Sequence, residues 1–215
     1  MRVLIGIVLL MIGACAAEPE PVSATAPEPA PVSLPQAVIE TDLGTIRIEL
    51  RTDVAPISAN SFIAHAEAGH FDQGSFYRTV RDDNEREGVE PMNLIQGGAG
   101  WDLADTFEGI AHETTLETGL SHIVGAVSLG RYEPGTANSE FFIMIEDYPG
   151  LDAGPDTRNP DGQGYAVFGQ VIEGMDVVDA IWRVPTGVED GPEGFEAQWI
   201  VDPVIIETVQ IIANP

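Results

Sequence analysis

The strongest constraint on this chain is that its apolar residues come in short bursts. From about residue 37 onward, alternating or fully apolar stretches span only a few residues before glycine or proline interrupts them, and the chain carries 23 Gly and 16 Pro. Ile46, Ile48 and Leu50 alternate with Arg47 and Glu49, the period of a half-buried strand. Residues 37–41 and 45–50 read as a hairpin around Asp42-Leu43-Gly44, followed by strands at 74–80, 92–96, 123–129, 141–145 and 166–171 and strand pieces within 198–212. Helical spacing occurs twice. Ala55-Pro56 opens one helix, with proline in the first turn, Phe62, Ile63 and Ala66 on a face and Gly69 as the stop. Met175, Val178 and Trp182 mark a second over 175–182. Many short strands, glycine-rich loops and only two helices predict a mainly β chain: a small closed antiparallel barrel of about eight strands with two capping helices.

Charge narrows the partners. Asp and Glu number 35 against 9 Lys+Arg, a formal charge of −26, and every cation is arginine. Such a field repels phosphate backbones and anionic lipid surfaces, which excludes nucleic acid. The single cysteine, Cys15, rules out an intramolecular disulfide and a thiolate zinc site.

The N-terminal segment reads as targeting. An apolar run over 3–12 is about half a membrane span and the length of a signal core. Ile12-Gly13-Ala14-Cys15 then resembles a bacterial lipoprotein box, with Cys15 as the lipidated residue; Ala14-Cys15-Ala16 also fits ordinary signal cleavage. Ala16 favours the outer membrane over the inner. Residues 1–15 are thus expected to be a leader and 16–36 a Pro/Ala/Glu-rich linker, whose polyproline-like rise of about 3.1 Å per residue would hold a domain over 37–215 roughly 50 Å from a membrane. The location expected is the bacterial periplasm, with membrane contact only through the lipid.

Familiar catalytic signatures do not fit. His65, His70, His112 and His122 lack metalloprotease spacing. Ser128, in Ala126-Val127-Ser128-Leu129-Gly130, misses the nucleophile-elbow pattern, and the acidic loop over 152–161 fails the calcium-loop pattern. What remains is a series of strand-borne pieces: Phe76-Tyr77-Arg78, Leu94-Ile95-Gln96-Gly97-Gly98, Gly125-Ala126-Val127-Ser128-Leu129-Gly130-Arg131, Asn138-Ser139-Glu140-Phe141-Phe142-Ile143, Tyr165-Ala166-Val167-Phe168-Gly169-Gln170-Val171 and Glu173-Gly174-Met175.

In this order the pieces resemble the cyclophilin-type peptidyl-prolyl cis-trans isomerases, over residues 37–212. The resemblance implies isomerisation of X–Pro bonds in proline-containing polypeptides, by a monomer, with no cofactor and no metal. It assigns Arg78 as the catalytic arginine, Gln96 as the glutamine beside it and Phe142 as the floor of the proline pocket. Leu94, Leu151 and Tyr165 stand at pocket-wall positions, and Gly130 and Arg131 where backbone groups hold substrate, so that their side chains matter less. Strand alternation sends Phe141 and Phe142 to opposite faces but does not say which meets substrate.

Four departures from the family pattern bear on the site. Extra residues over 81–90 separate Arg78 from Gln96, Asn93 replaces a frequent phenylalanine, Glu140 replaces glutamine, and Gly150 falls where the family has tryptophan. They predict a shallower, more acidic pocket, and the last three predict binding of the family's inhibitor cyclosporin that is weaker by roughly two or more orders of magnitude. The alternative reading is a peptide-binding or chaperone-like barrel with little turnover.

Overall fold

A computed structural model of the chain describes residues 33–188 and 193–213. The leader, Cys15 and most of the linker lie outside these residues. Eight strands, β1 (Gln36–Thr41), β2 (Gly44–Leu50), β3 (Ser75–Val80), β4 (Leu94–Gly98), β5 (Ala126–Leu129), β6 (Phe141–Met144), β7 (Ala166–Glu173) and β8 (Trp199–Ile212), close into a barrel in the order β1-β2-β7-β5-β6-β4-β3-β8. Every neighbouring pair is antiparallel. The expected fold class therefore holds, with boundaries shifted by one to three residues; β1 begins at Gln36, one residue before the expected domain start.

Alternation along the strands divides the apolar residues into two sets. Ile39, Ile46, Ile48, Phe76, Ile95, Phe141, Ile143 and Phe168 meet inside the barrel. Val80, Leu94, Phe142, Met144, Leu151 and Val167 form a second cluster on its outer wall. The helices α1 (Pro56–Glu67) and α4 (Met175–Trp182) complete the inner core with Phe62, Val178 and Ile181. Phe62 makes ring contacts with Phe71, Phe141 and Phe168. The α1 N-terminus has no side-chain cap of its own; instead the Glu113 carboxylate accepts hydrogen bonds from Ile57 N (3.0 Å) and Ser58 N (2.6 Å), satisfying backbone donors that a helix start leaves open.

The expectation of only two helices was too few. Two further helices of one turn each, α2 (Trp101–Ala104) and α3 (Thr115–Thr118), interrupt the β4–β5 connection. They are too short for apolar periodicity to show. The α3 boundaries were nevertheless written locally: Thr114 and Glu117 form a capping box, and Gly119 ends the turn at φ +72°.

Candidate active site

Arg78 reaches the outer wall because β3 carries a bulge. The pairing slips between Phe76 and Arg78 on both sides of the strand. Simple alternation would put Arg78 on the same side as Phe76, inside the barrel. The extra residue turns Arg78 outward, in register with Val80 of the outer cluster. Opposite it on β4 sits Gln96, and opposite Gln96 on β6 sits Phe142. The site is thus on the wall of the barrel, and not at an open end.

Here a cavity of about 410 Å³ is lined by Arg78, Leu94, Gln96, Gly130, Arg131, Phe142, Leu151 and Tyr165, so all eight of the expected site residues come together. Met92 joins their apolar floor, and Phe195 and Trp199 add aromatic wall from the C-terminal part of the chain. The Tyr165 ring meets Phe142 edge-on, 5.3 Å between centroids at 89°.

The guanidinium of Arg78 is held on both sides. Its Nη1 donates to Gln96 Oε1 (2.8 Å), while Nε and Nη2 both donate to Gln198 Oε1 (2.9 and 2.6 Å). The Phe195 ring lies 4.6 Å from Cζ. Three of five N–H groups are thereby fixed, leaving donors for a ligand. Burial lowers the Arg78 pKa, with Tyr77, Glu85 and Tyr165 acting the other way; arginine starts so high that it stays charged.

Gln96 is itself oriented. Its Nε2 donates to Tyr77 Oη (2.9 Å), and the Tyr77 hydroxyl donates to the Glu140 carboxylate. Burial first, then Glu140, pushes the Tyr77 phenol well above its usual range, so it remains a donor. Burial also raises the Glu140 pKa, against hydrogen bonds from Tyr77, Gly100 and Ser139. Glu140 is buried (7% exposed) and ends this donor chain. It lines a smaller neighbouring cavity of about 70 Å³ and not the main one, so the expected acidic intrusion does not occur. Gly98 is needed beside it: a Cβ there would lie 2.5 Å from Glu140 Oε1.

Other departures also act differently from expectation. Asn93 is buried away from the cavity, where its Nδ2 donates to Glu146 (3.1 Å) and Asp82 (3.3 Å). Arg131 contributes far more than backbone. Its guanidinium makes a two-pronged pair with Asp161 (2.8 and 3.0 Å) and donates to Gly164 O from Nε (2.9 Å), pinning the 152–165 loop against β5. The cavity lining holds four arginines and one acid, Glu193, the opposite of the acidic pocket expected. The inserted 81–90 segment does reach this face. Glu85, whose side chain is 3% exposed, accepts from Gln198 Nε2 (3.1 Å) and pairs with Arg158 (3.3 Å).

Behind Phe142 lies a chain of hydrogen bonds that no sequence pattern announced. His122 Nδ1 contacts Asp152 Oδ1 at 2.6 Å and Nε2 contacts Ser128 Oγ at 3.1 Å, while its ring stacks on Phe142 at 5.8 Å. Burial lowers the His122 pKa although Asp152 opposes this; Asp152 is itself held below the usual carboxylate range, because hydrogen bonds from His122 and Ser121 outweigh its burial. The neutral imidazole then donates to Asp152 and accepts from Ser128. The arrangement has the residue types of a hydrolase triad, but His122 and Ser128 are both fully buried, so it braces the floor and cannot attack a substrate.

Comparison with known proteins gives the family and the fold. The family described as "Cyclophilin type peptidyl-prolyl cis-trans isomerase/CLD" matches residues 37–211. The peptidyl-prolyl cis-trans isomerase cyp18 of Streptomyces antibioticus is 34% identical over 178 residues, which cover 81% of this chain and 96% of that protein. A peptidyl-prolyl cis-trans isomerase of Acinetobacter baylyi is 33% identical over 175 residues, covering 80% and 83%. In fold, a Cryptosporidium parvum cyclophilin-type isomerase superposes with a TM-score of 0.60 at 20% identity, over 84% of this chain and 98% of its own. With a guanidinium clamped over an apolar hollow on the outer wall of a closed barrel, and with relatives matched over nearly the whole described chain, the protein belongs to the cyclophilin-type peptidyl-prolyl cis-trans isomerases.

Proposed function

We propose that the protein isomerises X–Pro bonds of exported polypeptides, with Arg78 as the catalytic residue. Rotation about the bond crosses a barrier of about 18–20 kcal/mol because amide resonance is lost at the twisted geometry. There the prolyl nitrogen regains a lone pair that neither planar isomer offers. A donor fixed beside that nitrogen binds the transition state better than either ground state, which is the condition for catalysis. The observation that carries this reading is the double clamp: Gln96 and Gln198 hold the Arg78 fork at the edge of a hollow floored by Leu94, Phe142 and Leu151. The hollow takes the proline ring, so the residues that bind and the group that donates share one wall. One such prepared donor is worth roughly 2.7–4 kcal/mol. No bond is made or broken, and the side chains alone supply the chemistry.

A related Cryptosporidium parvum cyclophilin structure was obtained in the presence of the dipeptide Ala-Pro, which supports proline-containing chains as ligands here. A barrel that only binds peptide would follow from polar intrusion by Asn93 and Glu140 into the proline pocket, and neither lines the main cavity. A protease-free isomerisation assay on the purified protein tests the reading; peptide binding without acceleration of cis–trans exchange would overturn it.

Export and lipidation rest on the leader. The short apolar run and the Ile12-Gly13-Ala14-Cys15 box support a diacylglyceryl-modified Cys15 as the mature N-terminus, facing the periplasm from the outer membrane. There the enzyme would accelerate folding steps that take tens to hundreds of seconds unaided. Mass spectrometry of the mature N-terminus decides this: an unmodified chain starting at Ala17 would sink it.

A further inference from the structure

Charge is distributed unevenly on this molecule. The chain is strongly acidic, yet four of its nine arginines, Arg78, Arg86, Arg131 and Arg158, line one cavity. Two of them are committed. Arg131 is fully buried against Asp161 and Gly164, and Arg78 is held by amides. The other two share one carboxylate: Arg158 Nη2 lies 3.3 Å from Glu85 Oε2, and Arg86 Nε lies 3.6 Å from Glu85 Oε1. Glu85 also accepts from Gln198 Nε2 and from the Arg86 backbone N–H. One saturated carboxylate cannot neutralise two guanidiniums. The Arg86 side chain remains 61% exposed at the cavity, with Glu85 as its one ion-pair partner among the described residues; Glu193, the one acid in the lining, pairs with neither Arg86 nor Arg158.

We propose that Arg86, with Arg158 beside it, makes the site selective for prolines flanked by an acidic residue, the Glu or Asp side chain taking the place that Glu85 cannot fill. This rests on the isomerase reading and names its substrate class. Two positive groups facing one hollow repel each other and any basic substrate side chain, and a carboxylate relieves that repulsion. The negative field of the rest of the molecule acts in the opposite sense, drawing basic peptides in. At physiological salt it is screened beyond about 8 Å, so direct interactions at the rim decide selectivity.

The test measures kcat/KM by NMR exchange for peptides carrying Glu, Gln or Lys immediately before or immediately after proline, at about 0.15 M salt. On at least one side of the proline, the Glu peptide is expected to be turned over roughly five- to tenfold better than the Lys peptide, the scale that separates an attractive exposed charge pair from a repulsive one. Arg86→Glu should abolish or invert that ratio, and Arg86→Lys should preserve its direction. Equal values for Glu and Lys on both sides overturn the proposal, as does a ratio that survives Arg86→Glu. Should none of the peptides be isomerised, the enzyme reading fails by itself; Kd values from the same spectra then decide the charge preference independently.

Discussion

The cavity has two kinds of wall. Its floor is built on strands: Arg78 on β3, Leu94 and Gln96 on β4 and Phe142 on β6 sit side by side because the ladder puts them there. Its rim is built on loops: Glu85 and Arg86 from 81–90, Arg158 from 152–165, and Phe195 and Gln198 from the segment before β8. The floor gains its precision from main-chain hydrogen bonds and a packed outer cluster. The rim gains it from charged and amide side chains that hold one another, as in the Arg78–Gln198–Glu85–Arg158 series. The two walls meet at Arg78, which stands on a floor strand but is held from the rim by Gln198.

The largest effect expected from breaking the floor is at its one donor. Arg78→Ala should lower kcat/KM by about 10²–10³, the loss of one prepared donor. Circular dichroism should show an intact barrel, because Arg78 lies outside the inner core. A folded variant with near wild-type turnover would remove Arg78 from the mechanism.

Cyclosporin probes the rim next. With Asn93 and Glu140 away from the main cavity, the missing tryptophan at Gly150 is the departure that removes contacts from the inhibitor, while the 81–90 segment adds Arg86 to the lining. Loss of an aromatic interaction and a hydrogen bond, each worth about 1 kcal/mol, predicts roughly thirtyfold weaker inhibition than a tryptophan-bearing relative shows. Undiminished inhibition in a titration against turnover would mean that Trp199, which also lines the cavity, substitutes for it.

Gln198 tests whether rim and floor are coupled. Gln198→Met removes the acceptor of two Arg78 donors and should reduce kcat about tenfold with little change in KM, within the range for hydrogen bonds to a charged group. A purely structural role would instead lower the melting temperature and leave kcat per folded molecule unchanged.

The smallest effect concerns the brace behind the floor. Because burial depresses the His122 pKa, its neutral form is favoured on folding. The stability it contributes is complete above its ordinary value of about 6.5 and is lost as pH falls through the folded value. Denaturant titrations of wild type and His122→Gln should therefore show a gap in stability at pH 7.5 that narrows by pH 5. A gap that widens on acidification would reverse the assigned protonation state.

Short apolar bursts and glycine punctuation were enough to determine a small closed barrel and the helix over 175–182, because strand and helix periods are local; the eight residues that meet at the cavity were named by the family resemblance, which could be read because its pieces are contiguous. Tertiary structure alone decided the rest. Alternation separated Phe141 from Phe142, but only closure of the barrel made one face the inside and the other the outer wall. A single bulge, invisible in Phe76-Tyr77-Arg78, turned Arg78 outward. Gln198 meets Arg78 across 120 residues of chain, and Glu85 meets Gln198 across 113. The sign of the pocket's charge was decided in the same way. Glu140 in place of glutamine led to the expectation of an acidic pocket, whereas the fold buries that carboxylate under Tyr77, off the main cavity, and gathers four arginines around the hollow instead.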